Sequence, residues 1–150
     1  MNTLTIKRTV ISVLSICLLF IPFGTISANA AQAPETMPLY NNTSSTISAM
    51  SINDDGIMTI SYRYSGYPNV TTKAVITTYI EKKTLGLFWT RVDIGQNNDE
   101  WVDTINDYRY SGSRTFQLSS TGKYRVSVEY KIYGNGGSAD IITYEKTETY

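Results

Sequence analysis

From Thr46 to Thr147 apolar and polar residues alternate with a period of two, and clusters of Gly, Asn, Asp and Ser interrupt them at turn-like intervals. Period two puts successive side chains on opposite faces of a strand, whereas a helix needs a repeat of about 3.6. The pattern predicts seven strands. The first is Thr46 to Ile52, closed by Asn53-Asp54-Asp55-Gly56, a hairpin turn in which Gly supplies positive φ. The second sets Met58, Ile60, Tyr62 and Tyr64 against Ile57, Thr59, Ser61 and Arg63, and the third covers about 71–82. The fourth carries Phe88, Thr90, Val92 and Ile94, with Leu87, Trp89 and Arg91 opposite and Trp89 expected in the core. Ser113 to Leu118, Tyr124 to Ile132 and Asp140 to Thr147 complete the set. Between the fourth and fifth lies a polar stretch, 95–107. Within 99–108 Trp101, Ile105 and Tyr108 have helical spacing, over a window short enough to be strand or loop.

Seven short strands rich in β-branched and aromatic residues predict an all-β sandwich of immunoglobulin-like type, with a small closed barrel as the rival. Gly122-Lys123-Tyr124 has the Gly-x-Tyr spacing of a tyrosine corner, in which the phenol reaches back to a backbone group and pins a crossover between sheets.

The N-terminus has a different grammar. Lys7 and Arg8 precede a thirteen-residue, mostly apolar run from Thr9 to Ile21, then Pro22, Gly24 and Ala28-Asn29-Ala30. This is the layout of a secretory signal peptide cut after Ala30, so residues 1–30 are expected to be removed and the product secreted. A membrane-spanning helix needs about 20 apolar residues, so no transmembrane segment is expected in the mature chain. The only cysteine, Cys17, lies inside that run, which leaves the exported portion without disulfides and dependent on core packing. Residues 31–45, with two prolines and many Ser, Thr and Asn, predict an extended leader, and 46–150 the folded domain.

With these elements placed, a resemblance stands out. Pro38-Leu39-Tyr40 leads into a Ser/Ala-rich first strand, and a hairpin runs from Glu81-Lys82-Lys83 to Trp89-Thr90-Arg91-Val92. Gly122-Lys123-Tyr124-Arg125-Val126 then opens a long valine-rich strand. This layout resembles small secreted proteins of unknown function from Gram-positive bacteria. The resemblance implies an immunoglobulin-like sandwich and export, and it brings no catalytic residues. The polar stretch 95–107 is longer than in the compact version of that layout.

Composition narrows the function. There is no histidine, which removes Ser-His-Asp and Cys-His catalysis and His-ligated metals. Thirteen basic residues balance thirteen acidic ones, and Lys7 and Arg8 leave with the signal, so no clustered phosphate-binding surface for nucleic acid is expected. No carboxylate pair has a spacing that singles it out for glycoside hydrolysis, and an enzyme is not expected. Asp93, Asp99, Glu100, Asp103 and Asp107 form the densest acidic group. They suit Ca²⁺ less well than a solvated loop, so no cofactor or metal is expected. Asn41-Asn42-Thr43-Ser44 and Asn69-Val70-Thr71 match glycosylation sequons and predict exposed loops.

Tyrosine is over-represented, with 12 copies against 4 Phe and 2 Trp. The segment Tyr62-Arg63-Tyr64-Ser65-Gly66 recurs letter for letter as Tyr108-Arg109-Tyr110-Ser111-Gly112. The plain reading is two strand ends, with tyrosines turned inward, arginine in water and Ser-Gly starting a turn. The functional reading is a pair of aromatic-plus-guanidinium platforms for a sugar ring or a peptide. Trp101 stands in the most polar stretch, so Trp101, Tyr108, Arg109 and Tyr110 are the candidate binding residues. The expected function is a secreted binding or adhesion module contacting a cell-envelope glycan or protein. A secreted bacteriocin or toxin-like effector is the alternative.

Overall fold

The computed structural model describes residues 40–150; the expected signal peptide and most of the expected leader lie outside them. Eight strands follow in order: β1 (Thr43–Ile52), β2 (Ile57–Gly66), β3 (Thr71–Thr84), β4 (Phe88–Arg91), β5 (Trp101–Ile105), β6 (Arg109–Gln117), β7 (Lys123–Gly134) and β8 (Asp140–Thr149). They form two antiparallel sheets. One has the order β1-β2-β6; the other runs β4-β3-β7-β8, with β5 also paired to β3. The all-β expectation holds, with eight strands where seven were expected.

The inward faces follow the alternation. Met58, Ile60, Tyr62 and Tyr64 from β2 meet Ala74, Ile76 and Ile80 from β3 and Tyr124, Val126, Val128, Tyr130 and Ile132 from β7 in one core. Tyrosine serves here because it has an apolar ring and a polar tip. The ring fills the interior while the hydroxyl finds a partner at the rim. Tyr64 donates to the Asp107 carbonyl at 2.7 Å, Tyr130 to the Ile47 carbonyl at 2.9 Å, and Tyr124 to the Ser120 carbonyl at 2.6 Å. The Tyr124 bond, four residues back along the chain, is the corner geometry expected at Gly122-x-Tyr124. Burial raises the Tyr130 phenol pKa, and burial beside Asp107 pushes that of Tyr64 up to about 12.

Several boundaries differ from the sequence expectation. β1 begins at Thr43, three residues before the expected start at Thr46 and so within the expected leader. Its start is anchored by Asp140, whose carboxylate accepts the backbone N–H groups of Asn41 (3.2 Å) and Asn42 (2.8 Å). Asn42 is fully buried, so its sequon is not in an exposed loop as expected, whereas Asn41 and Asn69 are exposed. The stretch 99–108 contains a strand rather than a helix: Trp101–Ile105 pairs with Ala74–Thr78. β4 ends at Arg91, short of Ile94, because β5 takes over the same edge of β3.

Trp89 is not in the core. It pairs with Lys83 on the outer face, half-buried, with the Arg125 guanidinium 4.7 Å from its ring. No helix among the described residues is long and apolar enough to cross a membrane.

Candidate functional site

The two Tyr-Arg-Tyr-Ser-Gly segments pair with each other. In the antiparallel register of β2 and β6, Tyr62 faces Gly112, Arg63 faces Ser111, Tyr64 faces Tyr110 and Ser65 faces Arg109. The Gly66 N–H donates to the Tyr108 carbonyl at 2.7 Å and closes the match. The identical segments are therefore related by a local two-fold through the Tyr64–Tyr110 pair. The first copy ends its strand as expected. The second opens β6 and carries Ser111-Gly112 into mid-strand, so it does not start a turn.

Strand parity turns Tyr62, Tyr64 and Tyr110 toward the other sheet and leaves Arg63 and Arg109 exposed on the solvent face. The tyrosines give these strands their hold on the core, and the arginine between them is pushed outward as a consequence. The register makes Arg63 and Arg109 diagonal neighbours on that face, about 7–8 Å apart at Cα. Ile47, opposite Arg63 on β1, is 60% exposed beside them. With Ser45, Ser65, Ser111, Asp107 and Tyr110 these residues line an open trough of about 620 Å³. The Asp107 carboxylate is held by the Arg109 backbone N–H at 3.3 Å, and neither Arg63 nor Arg109 makes an ion pair among the described residues.

Beneath the trough lies a polar stitch between the sheets. Tyr62 donates to Asp103 at 2.7 Å, Asp103 is ion-paired with Arg114, and the Tyr62 and Tyr110 rings are 6.3 Å apart. Burial, reinforced by the bond to Asp103, raises the Tyr62 phenol pKa well above its ordinary value. Burial opposes the Arg114 charge, but Tyr62 and Asp103 outweigh it and its pKa rises. These groups hold their protons firmly, so they are poor at proton transfer near neutral pH.

Of the candidate residues, Arg109 and Tyr110 come together at the trough. Tyr108 lies half-buried just before β6, with the Arg109 guanidinium 5.3 Å from its ring. Trp101 turns between the sheets and packs edge-on against Phe116 at 6.2 Å. Arg63 was missing from the set, although the repeat itself carried the signal: both copies hold an arginine at the same place.

The acidic group disperses. Asp103 binds Arg114, Glu100 pairs with Arg91 at 3.9 Å, and Asp93 accepts the Gly95 N–H at 2.8 Å. No group of three potential metal ligands occurs among the described residues.

A second aromatic and guanidinium cluster covers the outer face of the larger sheet, where Arg91 lies 3.2 Å from the centroid of Tyr79 and Arg125 lies over Trp89. Here the charges are already neutralised. Arg125 donates to Glu81 at 2.6 and 2.8 Å and approaches Glu145 at 3.6 Å. Ser120-Thr121-Gly122-Lys123 also has a Ser-x-x-Lys spacing, but Ser120 accepts from Lys82 at 2.6 Å, an exposed contact that ties the β6–β7 loop to β3. Comparison with family models, curated proteins and solved structures gave no match.

Proposed function

We propose that the chain is an exported, non-catalytic binding module with an immunoglobulin-like sandwich, and that Arg63 and Arg109 grip acidic groups of a cell-envelope glycan. The observation that carries this reading is the pairing of the two repeated segments, which sets two exposed arginines at diagonal positions of one trough, neither with an ion-pair partner among the described residues. Arginine forks match carboxylate and phosphate oxygens in bidentate fashion, and the flanking serines add hydroxyl donors. The trough is open, which suits an extended polymer better than a small substrate that must be enclosed.

The immunoglobulin-like assignment draws on strand order. Lettering β1, β2, β3, β4, β6, β7 and β8 as A, B, C, C′, E, F and G gives sheets A-B-E and C′-C-F-G, with β5 added beside C. The Tyr124 corner at the start of β7 falls where that fold places it. Export draws on the basic, apolar and Ala-x-Ala segments of residues 1–30 and on the resemblance to small exported Gram-positive proteins.

The test is binding of the purified protein to wall polysaccharide bearing phosphate or uronate groups, beside an uncharged polysaccharide. Each charge-assisted pair is worth about 1.5–3 kcal/mol, so R63A with R109A is expected to weaken binding by at least roughly a hundredfold while the fold persists. Equal binding by the double variant, or no binding of the parent to acidic polymer, overturns the reading.

A further inference from the structure

The β3–β4 hairpin presents an apolar tip that neither core nor turn chemistry explains. Leu85 is 85% exposed, Leu87 73% and Phe88 64%, the three highest values among the large apolar side chains of the described residues, and all lie within four positions. Scattered exposed leucines are ordinary; a run of this kind on one projecting turn is not. Leu85 and Gly86 both sit at positive φ, 52° and 68°, and the Leu87 N–H closes the turn on the Thr84 carbonyl at 3.1 Å. Asn-Gly is the pair that such a turn favours, and leucine in the left-handed region is disfavoured. A Cβ added at Gly86 would meet nothing within 4 Å, so that side of the turn faces open space. The chain keeps a greasy residue where a polar one would be both better solvated and less strained. An observed outlier of this kind points toward function.

Behind the tip the chemistry changes in layers. Trp89 comes next, half-buried on the sheet face, with the Lys83 ammonium 5.7 Å and the Arg125 guanidinium 4.7 Å from its ring. Lys82 and Lys83 close β3, and Lys123 opens β7 beside them, since Tyr124 pairs with Lys82. None of the three lysines has an acidic partner among the described residues. Consecutive strand residues turn to opposite faces, so Lys82 over Tyr124 and Lys83 over Trp89 put positive charge on both sides of the hairpin, which a negative surface complements.

We infer that this hairpin docks on an anionic lipid bilayer. Leu85, Leu87 and Phe88 enter the acyl boundary, Trp89 lies at the headgroup level and the lysine collar meets the lipid phosphates. The order of apolar tip, aromatic belt and cationic collar is that of interfacial anchors. A convex tip of a few side chains has no recess for a peptide, and its charge complements an acidic lipid surface. The inference does not depend on the glycan reading, because it uses a different end of the sandwich.

Tryptophan fluorescence tests it. In the W101F protein, Trp89 is the only indole, so its emission reports the hairpin even if the N-terminal apolar segment also touches lipid. Vesicles of phosphatidylcholine mixed with phosphatidylglycerol are expected to shift Trp89 emission to the blue and to expose it to quenchers placed in the acyl chains. Pure phosphatidylcholine should bind more weakly. L87S with F88S, both at exposed sites, is expected to lower partition by at least about tenfold with unchanged circular dichroism. K82Q, K83Q and K123Q together should abolish the preference for the anionic vesicles. Trp89 emission indifferent to vesicles overturns the inference, as does full binding by the L87S/F88S protein or an anionic preference that survives loss of the lysines. Self-association through the tip without vesicle binding also overturns it.

Discussion

The stitch between the sheets makes a quantitative prediction about Asp103. Its carboxylate accepts the Tyr62 hydroxyl at 2.7 Å and is ion-paired with Arg114, joining β5 to β2 and β6. The side chains are 20% and 36% exposed, so the pair is neither a surface bridge of small worth nor a sealed one. Hydrogen bonds to charged groups contribute about 1.5–3 kcal/mol, and water can reach part of the Arg114 guanidinium once its partner is gone. D103A should therefore cost about 2 kcal/mol, which for a domain of this size lowers Tm by roughly 8 °C. R114A removes the same interaction from the other side. If the groups act as one unit, D103A with R114A together falls short of the sum of the singles by about 1 kcal/mol or more. Urea unfolding followed by Trp101, which sits on β5, measures all four proteins. Additivity within about 0.5 kcal/mol would refute the cooperative stitch, since partners that do not interact lose nothing twice.

Two further outcomes follow from the tyrosines. Y124F deletes the 2.6 Å bond to the Ser120 carbonyl while keeping the ring, which is 1% exposed. It should cost about 1–1.5 kcal/mol, and an unchanged denaturant midpoint would remove the corner from the stability account. The alkaline limb is the second outcome. Burial raises the folded-state pKa of Tyr62, Tyr64 and Tyr130 above the ordinary 10.0, that of Tyr64 to about 12. Groups shifted upward contribute stability that is intact below pH 10 and lost as pH rises toward the folded pKa. Tm should stay level into mildly alkaline solution and fall above about pH 10, with some tyrosines ionising only on unfolding. A native protein whose tyrosines all titrate together near pH 10 would contradict this.

How much of this was readable in the chain depends on what each residue faces. β7 was plain because Tyr124, Val126, Val128, Tyr130 and Ile132 are all buried in strict alternation. β5 was hidden because Asp103 occupies an inward position between Trp101 and Ile105, and a carboxylate there breaks the apolar pattern while Arg114 and Tyr62 satisfy it from afar. Around β4 both parities carry apolar residues, Leu87 and Trp89 on one and Phe88 and Val92 on the other. Alternation alone cannot say which parity turns inward, and Trp89 went to the outside. For the repeat, local sequence shows that the motif occurs twice. The register that lays one copy against the other is a contact across 46 residues, fixed by sheet order and invisible to any window. The repeat marks Arg63 and Arg109 as equivalent, but only the register puts them on one face as neighbours.

The trough and the hairpin tip also constrain one another through strand length. β2 ends at Gly66 beside the trough and β3 starts at Thr71 at that same end, then runs fourteen residues to Thr84 and the tip. At about 3.3 Å per residue the tip lies roughly 45 Å from that end. The screening length in physiological salt is about 8 Å, so a bilayer met by the tip exerts almost no field on Arg63 and Arg109. A membrane-docked molecule would thus hold its guanidiniums well above the lipid phosphates, free for acidic polymer farther out. With no shared partner and this separation, losses from R63A/R109A and from L87S/F88S should add rather than compound. A strong dependence of polymer binding on the tip residues in the absence of lipid would mean that the two surfaces are parts of one site.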